Sequence, residues 1–381
     1  MNNNLKILHI IPNLGKGGAE RLVVDICNEL NTRENIDYRL VTFETINDYL
    51  FLTENIKLVF CPINVELSVY KKNKIDINSL EKLILDFQPH IIHSHIFYAD
   101  IVSRLNLYPN IKYFSHIHGR TAQYERIKFS EIFNKRRLTD FYERIFVFNQ
   151  YRKSINHFIA VSKDTETYLK MHLPKHLQKI TVLPNAIDFN RFYRGKTEYK
   201  SETINLLNIG RLDDNKNQSF LIDVVKNIAN KGFPVHLDIL GNGNNREKLQ
   251  QKINDYQLSD KIILRGNVDD TEHFLHHSYL YLFSSLKESF GLTILEAMAS
   301  GLPVVALDAG GNRDIIIDGH NGFILKKVDV NLFAEKIIQL IEDKNLYQQM
   351  SVNSIDFARK YDIKEYVDKL LDFYKSILLR N

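Results

Sequence analysis

The sequence predicts an α/β protein built from two doubly wound, Rossmann-like domains. Short apolar strands repeatedly run into glycine-containing turns and then into amphipathic helices, which is typical of parallel sheets covered by helices. A polar, charged segment at 195–202 separates two series of such units. The length of 381 residues suits two domains, and an apolar share of 44% can fill two cores.

The composition argues against several classes of protein. The net charge of +4 is mild, and no nucleic-acid-binding signature accompanies it. No apolar run reaches the roughly 18 residues that a membrane-spanning helix needs, and the N-terminus enters a strand without the pattern of a signal peptide. Cys27 and Cys61 lack metal-type spacing and are expected to be reduced, buried thiols. We therefore expect a cytoplasmic protein with no nucleic-acid partner.

The first unit comprises a strand at Lys6–Ile11, a turn at Pro12–Gly18 and a helix at Ala19–Leu30. The turn contains Gly17 and Gly18 but lacks the Gly-x-Gly-x-x-Gly spacing, which disfavours a nicotinamide oxidoreductase. A tight turn without a ligand is the alternative interpretation. Further helices of this half are predicted at Leu80–Phe87 and from Lys163 to about Met171. Further strands are predicted at Tyr38–Phe43, Ile56–Phe60, Pro89–His93, Lys112–Ile117, His157–Val161 and Ile180–Leu183.

Four histidines follow two of these strands, at the carboxyl ends where ligands bind in an open α/β sheet. They are His93, His95, His116 and His118. A metal site is one interpretation, but no carboxylate or thiolate accompanies the histidines at ligand spacing, and we predict no metal. His93 and His116 are predicted to point to the opposite side of their strands from the other two and to be structural.

The stretch Gly119–Lys153 contains nine Lys/Arg, four Asp/Glu and eight aromatic residues. One interpretation is a helical insertion that packs its aromatic side chains on the sheet. The other is a basic, aromatic surface, including Arg136 and Arg137, that contacts anionic headgroups or a lipid-pyrophosphate acceptor. The aromatic residues in question include Tyr124, Phe129, Phe133, Phe141, Phe146 and Phe148.

The second half opens with a strand at Asn205–Ile209, and Arg211 and Lys216 lie between it and the helix Ser219–Asn230. Two cations beside the free N–H groups of a helix suit a diphosphate, and they would stabilise charge on a leaving nucleotide. A pair of solvated charges is the alternative. The remaining elements are predicted at Val235–Leu240, Asn244–Tyr256, Ile262–Leu264, Tyr279–Phe283, Leu292–Ser300, Pro303–Ala306, Leu332–Ile341, Leu346–Lys360 and Ile363–Leu379.

Two carboxylates, Glu288 and Glu296, lie at the corner between the strand Tyr279–Phe283 and the helix Leu292–Ser300. Apolar residues of this helix recur at helical spacing and are expected to face a core. The backbone N–H groups at its start would then point outward and favour an anion. The corner therefore predicts a phosphate-bearing ligand whose hydroxyl groups the two acids bind.

The corner reads Glu-Ser-Phe-Gly-Leu-Thr-Ile-Leu-Glu-Ala and resembles the donor-site signature of the retaining glycosyltransferases of family four, of the bacterial surface-polysaccharide type. The resemblance covers nearly the whole chain and implies the GT-B architecture, in which two Rossmann-like domains face a cleft. It implies an acceptor-binding domain at 1–195, with the final helix 363–381 packing back on it. A nucleotide-sugar-binding domain is implied at 196–362, with Asp188 and Phe192 fixing the linker.

The resemblance also implies roles for individual residues. It implies that Glu296 binds the ribose hydroxyls and that Glu288 binds the sugar hydroxyls. Arg211 and Lys216 would neutralise the leaving diphosphate. Further donor-site positions are Gly17, Gly18, His118, Arg265, Asn267, Phe290, Gly291, Leu292 and Thr293. His95 and Asn185 line the cleft. The catalytic positions are His118, Glu288, Arg211 and Lys216.

The implied function is retaining transfer of a hexose or N-acetylhexosamine, with UDP as the favoured nucleotide. The expected acceptor is a glycan or lipid-linked intermediate of capsule or lipopolysaccharide synthesis, reached through peripheral contact with the inner membrane. No cofactor is expected, and the absence of any Asp-x-Asp triplet predicts metal independence. A nucleotide-sugar 2-epimerase of the same architecture is the alternative, and a catalytically silent binding module is a further one.

Overall fold

The computed structural model describes residues 4–67, 73–131, 133–195 and 202–379. The chain forms two compact units, one ending at Asn185 and completed by the residues from Ile363 onward, the other spanning Ala186–Asp362. The sequence predicted the boundary at residue 195, whereas the two units divide between Asn185 and Ala186. Phe189 and Phe192 are buried, and Ser300 Oγ donates a 2.9 Å hydrogen bond to the carbonyl of Phe192, which attaches this segment to the second unit. Residues 196–201 of the predicted linker lie outside the described residues.

The first unit is built on a seven-stranded parallel sheet with strand order β3-β2-β1-β6-β7-β8-β9, and β4 and β5 form a separate antiparallel pair. The strands are β1 Leu5–Ile10, β2 Ile36–Thr42, β3 Leu58–Phe60, β4 Val65–Glu66, β5 Lys74–Ile75, β6 Ile91–His95, β7 Lys112–Ile117, β8 His157–Ala160 and β9 Ile180–Val182. The helices are α1 Gly18–Leu30, α2 Leu50–Thr53, α3 Asn78–Phe87, α4 Phe97–Val102, α5 Lys135–Ser154 and α6 Lys163–His172.

The second unit repeats this plan with a six-stranded parallel sheet of order β12-β11-β10-β13-β14-β15. Its strands are β10 Ile204–Ile209, β11 Val235–Leu240, β12 Ile262–Gly266, β13 Leu280–Phe283, β14 Val304–Leu307 and β15 Gly322–Leu325. Its helices are α7 Phe189–Phe192, α8 Gln218–Asn230, α9 Arg246–Asp255, α10 Thr271–His277, α11 Leu292–Ala299, α12 Val330–Glu342 and α13 Lys344–Ala358. Short 3₁₀ turns occur at Ala122–Tyr124, Phe129–Glu131, Lys175–Leu177, Gly311–Asp314 and Arg359–Tyr361.

Strands β13 and β14 of the second unit are apolar on both faces, as is typical of parallel sheets covered by helices. Every residue of β13 and β14 is buried. Because all strands of each sheet are parallel, their carboxyl ends lie along one edge, where the turns into the helices collect. In each unit this edge carries the polar residues that the sequence singled out.

The last helix, α14 Ile363–Leu378, packs on the first unit, as predicted. Its buried face includes Leu370 and Tyr374, and the ring of Tyr374 meets the ring of Phe114 on β7 at a centroid distance of 4.9 Å. Helix α14 thus completes the core of the unit that β1 begins. Among the described residues, none of the helices combines the length and apolar character needed to cross a bilayer.

We expect Leu370→Ala to lower the free energy of unfolding of the first unit by about 2–5 kcal/mol, because it leaves a cavity under α14. The side chain is fully buried. Urea unfolding followed by circular dichroism measures the change. The neighbouring exposed variant Lys369→Ala should stay within about 0.5 kcal/mol of the wild type. Equal effects of the two substitutions would show that α14 does not contribute to this core.

Candidate active site

The strand-to-helix corner of the second unit has the geometry that the sequence predicted. Strand β13 ends at Phe283, and α11 begins at Leu292. Gly291 precedes the helix with φ of +103°, in the left-handed region that favours glycine. Apolar residues of α11 face the core as predicted, with Leu295 and Ala299 fully buried. This burial fixes the position of the helix N-terminus.

The loop after β14 holds the main chain of Glu288. The Glu288 N–H donates a 2.8 Å hydrogen bond to the Ala309 carbonyl, and the Gly311 N–H donates one of 2.9 Å to the Glu288 carbonyl. A Cβ atom at Gly311 would lie 2.0 Å from the carbonyl oxygen of Ser289, so only glycine permits this approach. The buried Asn312 amide shapes the loop by accepting from the Ala309 N–H at 2.9 Å. Glu288 is therefore held by its backbone, which leaves its carboxylate for side-chain or ligand contacts.

The structure brings the predicted cation Lys216 to this carboxylate. Lys216 Nζ donates to Glu288 Oε2 at 2.6 Å, and both side chains remain about a quarter exposed. The Ser284 hydroxyl, at the end of β13, donates a 2.7 Å hydrogen bond to the Lys216 carbonyl. Two residues separated by 72 positions in the chain thus form one charged pair beside the corner.

Arg211 lies on the same turn after β10, with its side chain 78% exposed. Its Nε donates to Asp213 Oδ2 at 2.7 Å, and Asp213 Oδ1 accepts from the Lys216 backbone N–H at 2.9 Å. Burial opposes ionisation of Asp213, but the hydrogen bonds from Arg211 and the Lys216 backbone outweigh it and lower its pKa. Asp213 therefore organises the turn that presents both cations.

The first unit places a histidine cluster at the carboxyl ends of three neighbouring strands. It contains His9 of β1, His93 and His95 of β6, His116 of β7 and His118 directly after β7. Ring nitrogens of His9 and His95 lie 3.0 Å apart, and those of His95 and His118 lie 3.1 Å apart. His93 Nδ1 is hydrogen-bonded to the Tyr374 hydroxyl of α14. Burial lowers the pKa of His9 and of His118 to about 3 each, so both imidazoles are neutral at physiological pH.

The prediction that His93 and His116 point away from His95 and His118 is wrong. The rings of His93 and His95 stack at 4.3 Å, and those of His116 and His118 at 4.2 Å. Residues two apart on a strand share a face, because side chains alternate with a period of two. His95 contacts His118 through ring nitrogens but is fully buried, so it does not itself reach the surface of the unit.

Two family models match consecutive parts of the chain. The model described as Glycosyltransferase Family 4 matches residues 16–191, and that described as Glycosyl transferases group 1 matches residues 189–357. The chain belongs to glycosyltransferase family 4.

Individual relatives agree with this assignment. Over 172 residues the chain is 32% identical to the poly(glycerol-phosphate) alpha-glucosyltransferase of Bacillus subtilis (strain 168), a match covering 44% of this chain and 25% of that protein. It is 24% identical to the UDP-Gal:alpha-D-GlcNAc-diphosphoundecaprenol alpha-1,3-galactosyltransferase of Escherichia coli, over 99% of this chain and 98% of that protein. The matches to the Bacillus protein and to several other relatives span less than two thirds of those proteins' length.

Solved structures show the same fold. The crystal structure of HepE from Anabaena in complex with UDP and glucose aligns with a TM-score of 0.78 and 20% identity, over 98% of this chain and 100% of that chain. The fold of this family 4 chain is therefore GT-B, with two Rossmann-like α/β units.

Other residues predicted for the donor site have varied surroundings in this family 4 chain. Thr293, in the first turn of α11, accepts a 2.7 Å hydrogen bond from the Tyr281 hydroxyl, whereas the side chain of Phe290 is buried. Arg265 donates from Nε to Asp238 Oδ1 at 2.6 Å, so its guanidinium is already engaged by the neighbouring strand. Asn267 is exposed. The assignment of Arg265 and Asn267 to a nucleobase pocket stays a prediction.

The remaining predicted positions lie in the first unit. Gly17 precedes α1, and its N–H donates a 3.1 Å hydrogen bond to the Tyr49 hydroxyl, which fixes the glycine turn. Gly18, the first residue of α1, is exposed. Asn185 is buried, and its Oδ1 has no hydrogen-bond partner among the described residues. Arg136 is exposed, but Arg137 is engaged by several carboxylates, including Asp140 at 3.2 Å.

Sequence reasoning missed three residues that shape these sites: Asp213, Asn312 and His9. Asp213 begins an Asp-Asp-Asn turn after a strand, which is a usual position for a carboxylate that accepts backbone N–H groups. His9 lies at the end of the first strand and pairs in register with His93 on β6. Like His93, His9 lies near the carboxyl end of its strand, and this position was the available signal. The sequence does not show that β1 and β6 are neighbours, because that depends on the order of strands in the sheet.

The buried histidines predict an acid-sensitive first unit. His116 is almost fully buried, and burial, with smaller contributions from His118, His93 and His9, lowers the pKa of its imidazole. In the unfolded chain it takes up a proton near its usual pKa of about 6.5. Below that pH the unfolded state binds more protons, so the free energy of unfolding falls by about 1.4 kcal/mol per pH unit for each such imidazole.

We therefore expect His116→Phe to reduce the loss of stability on acidification, because one buried base is removed. Between about pH 6 and about pH 5, its unfolding free energy should fall by roughly 1.4 kcal/mol less than that of the wild type. Urea unfolding at a series of pH values measures this difference in slope. Parallel curves for the two proteins would contradict the buried, neutral state of His116.

Proposed function

We propose that this family 4 chain is a retaining, metal-independent glycosyltransferase. It transfers a hexose or N-acetylhexosamine from a nucleotide diphosphate sugar, with UDP as the nucleotide, to a glycan or lipid-linked acceptor in bacterial surface-polysaccharide synthesis. The observation that carries the proposal is the Lys216–Glu288 pair beside the N-terminus of α11, with Arg211 on the same turn as Lys216. Cations, helix N–H groups and a carboxylate are the groups that a sugar diphosphate requires.

The proposed roles follow from the charges of these residues. Arg211 and Lys216 stabilise the negative charge that develops on the leaving diphosphate as the glycosidic bond breaks. Glu288 binds hydroxyl groups of the transferred sugar and Glu296 those of the ribose. Lys216 is paired with Glu288 in the structure. A bound diphosphate would compete for this lysine, and the Glu288 carboxylate would then accept from sugar hydroxyls.

The choice of donor is supported by the relatives. The Escherichia coli relative is named as a galactosyltransferase that uses UDP-Gal, and the Anabaena structure contains UDP and glucose. The sugars differ, so UDP is the shared element. Metal independence is supported by the sequence, which lacks an Asp-x-Asp triplet, and by the two cations that can take a metal's place beside the diphosphate.

We expect Arg211→Ala to lower kcat for donor consumption by roughly 10²-fold, because one charge-stabilising donor is lost from the leaving group. The side chain is mostly exposed, so the fold should be unaffected. Addition of Lys216→Ala should deepen the loss to several kcal/mol in the activation barrier, and it also leaves Glu288 without its cation. Steady-state kinetics with UDP-glucose and UDP-N-acetylglucosamine measures both variants.

The matched control is Lys252→Ala, which removes a lysine paired with Asp223 at 2.7 Å elsewhere in the same unit. It should keep wild-type kcat. Binding of UDP by calorimetry separates affinity from turnover, and product analysis by NMR reports the anomeric configuration. Wild-type turnover by the Arg211→Ala, Lys216→Ala double variant would refute the proposed site.

A second part of the proposal concerns the surface formed by Arg126, Lys128, Phe129, Phe133, Lys135 and Arg136, which we call the basic aromatic tip. Phe129 is 87% exposed and Phe133 is 90% exposed, and all four basic side chains are exposed as well. Tyr124, in contrast, is buried in the core of the unit. Exposed aromatic rings among cations are typical of proteins that bind anionic membrane surfaces. We propose that the tip brings the enzyme to its lipid-linked acceptor at the cytoplasmic face of the membrane.

We expect the Lys135→Glu, Arg136→Glu variant to bind vesicles containing anionic phosphatidylglycerol at least about tenfold more weakly, because each basic residue near the surface contributes about 1 kcal/mol. Arg137 is left unchanged because it is paired within the protein. The control Lys326→Glu, Lys327→Glu makes the same charge change at exposed lysines of the second unit and should bind normally. Vesicle sedimentation measures binding, and equal affinity of the two variants would count against the tip.

A further inference from the structure

The histidine cluster contains a chain of three imidazoles joined end to end. His9 Nδ1 meets His95 Nε2, and His95 Nδ1 meets His118 Nε2. The ring centroids are 5.3 and 5.4 Å apart, and the ring planes differ by 27° and 29°. For each pair of rings, the distance between centroids is longer than the distance between the facing nitrogens. The difference is almost the sum of the two distances from a ring centroid to its own facing nitrogen. The rings therefore lie almost in line, with the nitrogen of one directed at the nitrogen of the next.

This arrangement differs from that of a metal site. Nitrogen atoms of His9, His93 and His95, and of His95, His116 and His118, lie within 4.8 Å of one another. Metal ligands, however, direct their lone pairs at a common point, whereas here both nitrogens of His95 face another imidazole nitrogen. His93 and His116 stack on the faces of His95 and His118, so they pack the chain without joining it.

The connectivity couples the protonation states of the three rings. A neutral imidazole carries one N–H donor and one bare acceptor nitrogen. If His9 donates from Nδ1, then His95 must accept at Nε2 and donate from Nδ1, and His118 must accept at Nε2. Its own proton is then on Nδ1. The reverse direction places all three protons on Nε2. His9, His95 and His118 therefore share one tautomer, either all Nδ1–H or all Nε2–H.

The two ends of the imidazole chain do not fix the direction in which its hydrogen bonds are donated. His9 Nε2 and His118 Nδ1 are buried and have no hydrogen-bond partner among the described residues. Burial keeps the rings uncharged and lowers the pKa of His95 as well, with smaller contributions from the neighbouring imidazoles. Burial also lowers the pKa of His93, and the charge of Arg104 adds a smaller contribution in the same direction. A hydrogen bond to His118 Nδ1 is thus able to select the tautomer of all three rings.

We propose that His95 and His9 are positioning residues that set the tautomer and the ring orientation of His118. This inference rests on the proposed function, in which His118 contacts the transferred sugar. His118 Nε2 faces His95, so Nδ1 is the nitrogen left for a ligand. Nδ1 is a hydrogen-bond donor in the Nδ1–H form and an acceptor in the Nε2–H form. The tautomer therefore decides which hydroxyl or oxygen of a ligand His118 is able to bind.

The direct test is ¹⁵N NMR under magic-angle spinning of the sedimented full-length protein, labelled at the histidine ring nitrogens. Protonated and bare nitrogens have separate shifts, and single histidine variants assign the signals. We expect His9, His95 and His118 to show one common tautomer without added ligand, and His95→Phe to convert His118 to a mixture of tautomers. His116→Phe, which changes a stacked neighbour outside the chain, should leave the three signals as they are.

The kinetic test uses UDP-glucose and UDP-N-acetylglucosamine as donors. His95→Phe should lower kcat about tenfold, a loss typical of removing a residue that orients an active-site group, and should leave KM within about twofold. His116→Phe should keep the wild-type values. The side-chain amide of His95→Asn can occupy the position of Nδ1 beside His118 and should restore part of kcat, whereas His95→Gln places its amide toward His9 and should not. If His95→Phe does not fold, the comparison of His95→Asn with His95→Gln still tests the positioning role of His95.

Opposite tautomers at His9 and His118, or an unchanged His118 tautomer in His95→Phe, would show that the three imidazoles do not form a hydrogen-bonded chain. A tautomer change without loss of kcat would overturn its role in positioning. If the wild-type protein consumes no nucleotide sugar, the proposed function fails, and the NMR result still decides whether the imidazole chain exists.

Discussion

Parallel strand pairing is the constraint on which both units depend. It places the carboxyl ends of all strands of a sheet along one edge, so residues distant in sequence meet there. In the second unit, Lys216 after β10 reaches Glu288 after β13 in this way. In the first unit, the same constraint collects histidines from β1, β6 and β7. An antiparallel arrangement would distribute these residues to opposite ends of the sheet.

The two edges meet the cost of burying polar groups by different means. The second unit keeps Lys216 and Glu288 partly exposed and pairs them, so neither charge is fully removed from water. The histidine cluster of the first unit is buried as neutral imidazoles, and hydrogen bonds link three of them. A neutral ring avoids the desolvation cost of an ion, and a hydrogen bond satisfies its remaining polarity. The first edge is therefore suited to directional hydrogen bonding, whereas the second keeps its charges accessible to solvent.

The backbone contributes as much as the side chains to the second edge. The loop after β14, which contains Gly311, holds the main chain of Glu288, and the Asn312 amide shapes that loop. Gly291 in turn permits the sharp entry into α11. These contacts leave little freedom for the backbone that carries the Glu288 side chain.

Much of the fold was readable from the sequence, because strand and helix periodicities are local. The sequence by itself determined two series of parallel-sheet units and the start of α11, and it identified Lys216 and Glu288, which the structure brings together. Side-chain alternation along β6 also determined that His93 and His95 share a face, although the sequence prediction placed them on opposite faces. Only the tertiary structure decided that His9 joins the histidine chain, that Asp213 holds the Arg211 turn and that Arg265 is engaged by Asp238. These contacts join different strands or turns, and the order of strands in a sheet follows from packing of the whole unit, which no local pattern specifies.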